Sequence, residues 1–382
     1  MALSAASTII SHNRAVNCLA FSLPKLGNSA VNHQQLHSRI NFHSFSDHPY
    51  VHQSRNGGKF TPSCLAKTVV SDVEVHNSDF TTDAADDDTW SEFAKNVSGE
   101  WDGFGADFTI EGKPIELPES VVPEAYREWE VKVYDWQTQC PTLAEPVENT
   151  MTYKTIKLLP TVGCEADAAT RYSIEEKNIG GVDNEVSAFA YHSSGCYTAI
   201  WSVADKNLLE LEHCLINPRD RESRVRIIQV VRVGGTKFVL QNVRVFCEQW
   251  YGPFRNGDQL GGCAIRDSAF ASTAATNASD VGGVWKGSNA VASFDSSGNN
   301  FLEELKDNGV MKSIRDGSNL ILLPKQLWCS LKDSGGETCS EVGWLYDQGY
   351  AITSRCCFSS EGKLKEVSIA RETTVLEAYT GC

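Results

Sequence analysis

Long hydrophobic segments are absent from this 382-residue chain. A short apolar run at residues 15–23 falls far below the ~18–20 residues that a membrane-spanning helix needs, so we predict no membrane span. Histidine is scarce as well, because the part of the chain after residue 71 contains only His76, His192 and His213. Histidines this few argue against a multi-histidine metal centre. We therefore predict no metal and no cofactor.

The usual catalytic and nucleotide-binding signatures are also missing. The sequence has no nucleophile elbow, no P-loop, no H-E-x-x-H motif and no dinucleotide fingerprint. The V-G-G-T segment at residues 233–236 is too short to cradle a phosphate. The 13 cysteines form no C-x-x-C pair. We interpret most of them as small buried hydrophobic residues, with a redox-regulated pair as the alternative.

The first 71 residues differ from the rest in charge. They contain six basic residues and one acid, Asp47, and they are rich in serine, asparagine and histidine. A basic, acid-poor leader of this kind is typical of organelle presequences. We predict that residues 1–66 are a chloroplast transit peptide and that the protein works in the stroma or on the thylakoid. An ordinary disordered basic tail is the alternative.

The remaining chain is strongly acidic. The whole sequence has 34 basic and 49 acidic residues. Without the six basic residues and the one acidic residue of positions 1–71, 28 basic and 48 acidic residues remain, which gives a net charge of −20. Such a surface repels phosphates. We therefore predict no nucleic-acid partner. Residues 67–88 are interpreted as an acidic disordered linker.

A short helix and a long series of strands are predicted next. Thr89 and Glu92 have the spacing of a capping box, which predicts a helix over residues 90–96. From Gly99 the hydrophobic period changes to two. Strand candidates cover residues 101–110, 128–136, 150–159, 171–177, 187–203, 209–216, 224–233 and 237–250.

The segment around Gly234 and Gly235 is the clearest hairpin signal, because two β-branched runs meet at two glycines. On the first of these strands, one face carries Val225, Ile227, Val231 and Val233, and the other carries Arg224, Arg226 and Arg232. We expect the arginine face to be solvated and paired with acids. Binding of a carboxylate-bearing ligand is the alternative.

A linker at residues 265–281 separates a second series of strands. These are predicted at 285–294, 318–331, 341–346, 350–358 and 364–372, whereas residues 300–311 have helical spacing. We assign a first unit to residues 89–264, a second, smaller unit to residues 282–376 and a tail to residues 377–382.

Each series of strands opens with the same short sequence. It has the form G-x-W-x-G and is built from Gly99, Trp101 and Gly103 in the first unit and from Gly283, Trp285 and Gly287 in the second. The first glycine allows the chain to turn into the strand, and the second allows close approach of a neighbour. We expect the tryptophan to close one end of its β unit.

A G-x-W segment behind a short helix, at the head of an antiparallel meander, resembles the lipocalins and the wider calycin superfamily. The first segment continues to Gly105, and this longer form is similar to the nitrobindin-type barrels. As a whole, residues 90–372 resemble uncharacterised plant and cyanobacterial chloroplast proteins with two lipocalin-like units. The resemblance implies an all-β protein in which an antiparallel lipocalin-like barrel is followed by a second, smaller lipocalin-like unit.

The resemblance also implies an arginine on the last strand, above the tryptophan. Arg371 is the candidate in the second unit, and Arg244 is a weaker candidate in the first. A nitrobindin-like haem site is not expected, because no histidine follows His213. We expect His192 and His213 to be ordinary core or surface residues.

The recurring aromatic residues of the first unit suggest a ligand cavity, with plain core packing as the alternative. We predict that a ligand contacts Trp136, Trp201, Tyr191, Arg232 and Arg244. The favoured function is a soluble plastid binder or chaperone of a pigment, tetrapyrrole or lipid. An isomerase, cyclase or lyase on a calycin barrel is one alternative. An assembly factor that works by protein contacts at the thylakoid surface is another.

Overall fold

The structure, a computed structural model, describes residues 89–162, 170–203, 207–235, 237–258, 269–294 and 300–375. The predicted transit peptide (1–66), acidic linker (67–88) and tail (377–382) lie outside these residues. Among the described residues, no helix is both long enough and apolar enough to cross a membrane.

Helices are short and few in the described parts of the chain: α1 (Thr89–Val97), α2 (Glu124–Glu128) and α3 (Ala278–Val281). Strands account for most of the remainder. They are β1 (Glu100–Phe108), β2 (Trp136–Gln139), β3 (Thr142–Glu145), β4 (Thr150–Leu158), β5 (Arg171–Ile179), β6 (Val186–Tyr191), β7 (Tyr197–Val203), β8 (Leu208–Ile216), β9 (Ser223–Gly234), β10 (Lys237–Gly252), β11 (Gly283–Ser293), β12 (Leu302–Glu304), β13 (Lys306–Arg315), β14 (Ile321–Leu323), β15 (Leu327–Ser334), β16 (Glu337–Asp347), β17 (Tyr350–Phe358) and β18 (Leu364–Thr374).

The described strands form two sheets. The first has 11 strands in the order β12-β6-β7-β8-β9-β10-β1-β2-β4-β3, with β5 paired to β4, and it curls into a half-barrel. The second has seven strands in the order β13-β11-β18-β17-β16-β15-β14, and its neighbouring strands all run antiparallel. The prediction of an all-β protein with a larger and a smaller β unit is confirmed.

The boundary between the predicted units stays a prediction. The described residues of both sheets belong to one compact part of the chain. Strand β12 follows the second G-x-W-x-G segment but pairs in parallel with β6 of the first sheet. The predicted linker also enters the core, because Phe270 is buried against Phe108 with ring centroids 6.3 Å apart.

Four predicted elements differ from the structure. Residues 187–203 and 318–331, each predicted as one strand, each contain two, β6 and β7 in the first case and β14 and β15 in the second. Residues 300–311 form β12 and the start of β13 instead of a helix, since pairing with β6 and β11 outweighs the local helical spacing. Residues 128–136 do not form a strand: α2 ends at Glu128, Trp129 is exposed, and β2 begins only at Trp136. Strands β2 and β3 had no prediction of their own.

Both glycines at the end of the G-x-W-x-G segments lie against a glutamate on the last strand of their series. Gly103 is opposite Glu248 on β10, and Gly287 is opposite Glu372 on β18. A Cβ atom on Gly103 would lie 1.9 Å from the Cys247 carbonyl oxygen, and one on Gly287 would lie 1.8 Å from that of Arg371. Any side chain at either position would push the strands apart.

The tryptophans of the two segments are completely buried. Trp101 Nε1 donates to the carbonyl oxygen of Val97 at the end of α1 (2.9 Å), and Trp285 Nε1 donates to that of Val281 at the end of α3 (2.8 Å). Each indole therefore ties the helix before its segment to the first strand after it.

Candidate functional site

The concave side of the first sheet is filled by polar side chains. The β9 strand alternates: Gln229 donates from Nε2 to the Ser330 carbonyl oxygen in the second sheet (3.2 Å), whereas Arg224 and Arg226 point into the half-barrel. Both arginines are about 1% exposed. The expectation that they belong to a solvated face is therefore wrong, although Arg232 is exposed.

Glu212 on β8 lies at the centre of this interior. Its carboxylate accepts hydrogen bonds from Tyr153 (2.5 Å), Tyr197 (3.0 Å), Trp201 Nε1 (3.0 Å) and Arg226 Nη1 (3.1 Å). Burial alone would raise the pKa of Glu212, but the nearby cations and these hydrogen bonds outweigh burial and lower the pKa to about 2. A carboxylate with so many donors is fully satisfied and stays ionised.

Glu248 on β10 completes the network. It accepts from Arg224 Nε (2.6 Å) and from Arg226 Nη2 (2.8 Å). The open space beside the network, bordered by Tyr153, Lys177 and other side chains of β4, β5, β9 and β10, measures only about 20 Å³. This volume suits a water molecule but no organic ligand. The interior of the half-barrel is thus occupied by its own side chains.

The residues predicted to bind a ligand do not converge on one cavity. Trp201 and Arg244 approach the same buried ion pair: Lys177 lies over the Trp201 ring (4.7 Å), and Glu210 accepts from both Lys177 (2.8 Å) and Arg244 (3.0 Å). The three others lie elsewhere. Trp136 stacks on Tyr172 (4.8 Å), Tyr191 packs edge-on against Trp90 (4.9 Å), and Arg232 is at the surface.

The arginines above the two tryptophans are not the predicted ones. Arg224 lies over the Trp101 ring at 4.3 Å, and Arg315 lies over the Trp285 ring at 5.6 Å. This corrects the assignment of Arg244 and Arg371. Arg371 and Glu372 are neighbours on β18, so their side chains point to opposite faces, and it is Glu372 that turns inward to meet Arg315 Nη2 (2.6 Å).

A larger open space lies between the two sheets. This inter-sheet cleft has a volume of about 680 Å³. One wall is the outer face of β1, β9 and β10, and the other belongs to the second sheet. The lining residues are Asp102, Gly103, Phe104, Ser223, Arg224, Val225, Cys247, Glu248, Gln249, Tyr251, Phe270, Lys325, Gln326 and Trp344. Four of them are aromatic, so the cleft combines flat apolar walls with charged groups.

None of the five residues predicted to bind a ligand lines this cleft, and Asp102 is one of the lining residues that sequence reasoning missed. It stands between Trp101 and Gly103 of the first motif and shares its face of β1 with Phe104. Its side chain is buried and accepts a hydrogen bond from Gln139 Nε2 at 3.4 Å. Burial raises the pKa of the Asp102 carboxyl from 3.8 to about 6, against the lowering effect of that hydrogen bond.

Asp135 holds another wall of the inter-sheet cleft in place. Its Oδ1 accepts from the Ala271 backbone N–H (3.2 Å), next to Phe270, which lines the cleft. Burial raises the pKa of Asp135 to about 6, although the backbone hydrogen bonds of residues 269–271 lower it. Asp135 positions Phe270 and does not itself line the cleft.

Away from the cleft, the sheets meet through a buried polar seam. His213 Nδ1 and Ser354 Oγ lie 2.8 Å apart, Thr198 Oγ1 lies 2.8 Å from the same Ser354 oxygen, and Ser340 donates to Gln229. Burial lowers the pKa of His213 to about 3, so the imidazole is neutral. The His213–Ser354 pair is completely buried. We therefore interpret it as a structural contact between the sheets.

The described cysteines are mostly buried thiols, among them Cys140, Cys214 and Cys356. Cys339 and Cys357 form a disulfide between the paired strands β16 and β17. Within the described ranges, no group of three or more His, Cys, Asp or Glu side chains could hold a metal ion.

Comparison with known proteins gives structural likenesses only. No protein-family model matches the chain, and no curated protein matches it. The chain is similar to a protein of unknown function from the DUF3598 family of Nostoc punctiforme PCC 73102, with a TM-score of 0.43 and 13% identity over 75% of this chain and 99% of that one. It is also similar to an S-type phycobiliprotein lyase from Guillardia theta, with a TM-score of 0.25 and 9% identity over 42% of this chain and 91% of that one.

Proposed function

We propose that this protein binds a small amphipathic molecule in the inter-sheet cleft, with pigment, tetrapyrrole and lipid as the candidate classes. The observation that carries the proposal is the cleft itself: about 680 Å³ of open space between aromatic walls. Binding sites for small molecules occupy roughly 300–1,000 Å³ and combine apolar walls with a few polar groups. Among the described residues of the half-barrel, the open space beside the ion network measures only about 20 Å³, so the inter-sheet cleft is the better candidate for a ligand.

The aromatic walls of the cleft suit a flat ligand. Phe104 and Tyr251 come from the first sheet, Trp344 comes from the second, and Phe270 comes from the segment between them. Aromatic rings bind conjugated or aliphatic groups over a large contact area at a small cost in side-chain entropy. Lys325 adds a cation to the second-sheet wall. A ligand with an apolar body and charged or polar ends fits these features.

An enzyme that works in the same cleft is the second candidate function. Asp102 supports it, because a buried carboxyl whose pKa is close to neutral is suited to proton transfer. An isomerase, cyclase or lyase would need such a group. Among the described residues that line the cleft, we identify no second group placed to complete a reaction with Asp102, and we therefore favour binding.

Nile red, a neutral amphipathic dye without N–H donors, tests the proposal through its fluorescence. We expect saturable binding to the wild-type protein and a roughly tenfold weaker Kd for Trp344→Ala, because burial of an aromatic side chain contributes about 1.5–3 kcal/mol. Trp129→Ala is the matched control, since Trp129 is exposed and does not line the cleft. Absence of saturable binding to the wild type would reject the binder and favour an assembly factor.

We also propose that the protein acts in the chloroplast. The support is the composition of the first 71 residues, which are basic and nearly free of acids. A fluorescent reporter fused behind residues 1–71 should enter chloroplasts, and the processed N-terminus should fall between residues 63 and 71. Retention of the reporter in the cytosol would refute this localisation.

The repeated G-x-W-x-G segment supports one further proposal, about the family of the chain. In both G-x-W-x-G segments the tryptophan is buried and donates to a helix carbonyl oxygen. The last glycine of each segment lies opposite an inward-pointing glutamate on the last strand of its series. We infer from this repetition that the chain belongs with the two-unit lipocalin-like proteins of plants and cyanobacteria.

A further inference from the structure

We infer that the inter-sheet cleft selects ligands that carry a basic nitrogen, and that Asp102 binds this nitrogen through its carboxylate. The inference rests on the proposed function of the cleft and deepens it by naming the chemical group that the site recognises. The observations that carry it are the hydrogen bonding of Asp102, the charges around it and its place on the cleft wall.

The first observation is unused hydrogen-bonding capacity. A carboxylate can accept about four hydrogen bonds. Asp102 is 4% exposed, yet the described residues supply it with one hydrogen bond, the 3.4 Å contact from Gln139 Nε2. By contrast, the completely buried Glu212 accepts from four side chains. Asp102 borders open space at the cleft, so a ligand donor can reach it.

The second observation is that the charge of Asp102 is not matched. Glu100 on its own strand and Glu248 on β10 add negative potential, and Arg255 beyond β10 adds positive potential. Among the described residues, no basic side chain lies within 4.0 Å of the Asp102 carboxylate. Burial of an unpaired carboxylate is costly. A ligand cation would remove that cost.

The other charged groups at the cleft do not serve Asp102. Arg224 is bound to Glu248 through its Nε at 2.6 Å. Lys325 belongs to the opposite wall. Asp102 is therefore the acidic group on its wall of the cleft that can accept a hydrogen bond from a ligand nitrogen.

A purely structural role explains Asp102 less well. Its one hydrogen bond comes from an amide N–H, and an asparagine in the same place would accept that bond without burying a charge. Aspartate adds only a negative charge, and this charge faces the cleft. The carboxylate is thus suited to a partner that arrives from the cleft.

The pH dependence of binding follows from this geometry. Burial raises the pKa of Asp102 to about 6, so its ionised fraction falls from about nine-tenths at pH 7 to about one-tenth at pH 5. A ligand that remains a cation over this range should bind about tenfold more weakly at pH 5, because it requires the ionised carboxylate.

Isothermal titration calorimetry with two probes of the same shape tests the inference. The first is 1-naphthylmethylamine, a cation from pH 5 to pH 7, and the second is 1-ethylnaphthalene, which has no nitrogen. We expect the wild type to prefer the amine at pH 7 and to lose about tenfold in amine affinity at pH 5. Asp102→Asn should lose both the preference and the pH dependence.

Two control variants separate Asp102 from other acids. Asp107→Asn makes the same substitution on β1, but the Asp107 side chain points to the opposite face of the strand. This variant should leave amine binding unchanged. Asp135→Asn removes a carboxyl whose pKa burial also raises to about 6, and the pH dependence should persist in this variant. Melting curves check that each variant is folded. The pH profile of the wild type tests the inference even if a variant does not fold.

The outcomes of the experiment are distinct. Equal affinities for the two probes, or a pH dependence that survives in Asp102→Asn, would overturn the inference while Nile red binding leaves the cleft a binding site. If the pH dependence disappears in Asp135→Asn, the group that titrates is Asp135, which positions Phe270. That result would also overturn the inference about Asp102. Failure of both naphthalene probes and Nile red to bind would overturn the proposed function together with the inference.

Discussion

The clusters around Trp101 and Trp285 both bury an indole below an arginine, but the arginine comes from a different strand in each. In both, the indole donates to the last turn of a helix, and a glutamate of the final strand binds an arginine above the indole. Arg224 comes from β9, which neighbours β10, whereas Arg315 comes from β13, on the far side of β11. The G-x-W-x-G segment therefore specifies the tryptophan and the close strand contact, but not the strand that supplies the cation.

The two clusters also differ in what lies beyond them. Arg224 shares Glu248 with Arg226, and Arg226 extends the network to Glu212 in the half-barrel interior. Arg315 instead binds Glu372 and Glu341, where the network ends close to the surface. The first cluster is thus the edge of a polar interior, and the second is a local closure of its sheet.

The largest expected effect tests whether the tryptophans are equivalent. Trp101→Ala and Trp285→Ala should each lower the free energy of unfolding by about 3–5 kcal/mol, because each leaves a large cavity in a closed core. Urea denaturation gives the two values. Trp129→Ala is the control and should change stability little, since Trp129 is exposed. If only one of the two substitutions lowers stability, the two tryptophans are not equivalent.

The next effect tests which arginine covers Trp285. Arg315→Ala should destabilise the protein by about 3 kcal/mol, because the buried Glu372 loses its ionic partner. Arg371→Ala, on the adjacent residue of β18, should cost less than about 1 kcal/mol, since Arg371 is only half-buried. Thermal unfolding of the two variants under one buffer condition measures the difference. Equal losses would restore Arg371 as the covering residue.

An effect that varies with pH concerns the fourth motif position, which is Asp102 in the first segment and the exposed Lys286 in the second. The pKa of Asp102 is about 6 in the folded protein and near 3.8 when unfolded, so its stabilising contribution is present below pH 4 and lost as the pH rises through 6. Asp102→Asn should therefore gain stability relative to the wild type between pH 4 and pH 8, by at most about 3 kcal/mol.

The difference between the variant and the wild type must be measured at each pH. His192 and His213 have pKa values lowered to about 4 and about 3 by burial, so their contributions are lost as the pH falls below 6.5. The contributions of the two histidines to the free energy of unfolding cancel when the wild-type stability curve is subtracted from the variant's curve. Lys286→Ala should show no pH-dependent change over this range, and a difference curve for Asp102→Asn that is flat would contradict the assignment.

Much of the β structure could be predicted because it depends on local pattern. The alternation of apolar and polar residues located β1, β4, β8 and β9 to within about two residues. The failure at residues 300–311 has a specific cause: Phe301, Leu302 and Leu305 fit a helix by spacing, and only the distant partners β6 and β11 make the segment extended. Local spacing carries no information about such partners.

The candidate site was harder to predict than the fold. Asp102 is an acid inside a motif strand, but the cleft that it borders is lined in part by Phe270 and Trp344, which are more than 160 residues away in the chain. Arg224 and Arg226 looked like a solvent-facing row, since charged residues are seldom buried without partners. Their partners, Glu212 and Glu248, lie on other strands, and the sequence pattern of β9 contains no sign of them.

By itself the sequence determined the β class, the two motif tryptophans and the close strand contacts at Gly103 and Gly287, because each follows from short-range periodicity or from the absence of a side chain. The tertiary structure alone decided which strand faces are interior. Alternation divides a strand into two faces, but the layer that covers each face is contributed by distant strands. In this protein both faces of β9 are covered, one by an ion network that fills the half-barrel and the other by a second sheet that leaves a cleft.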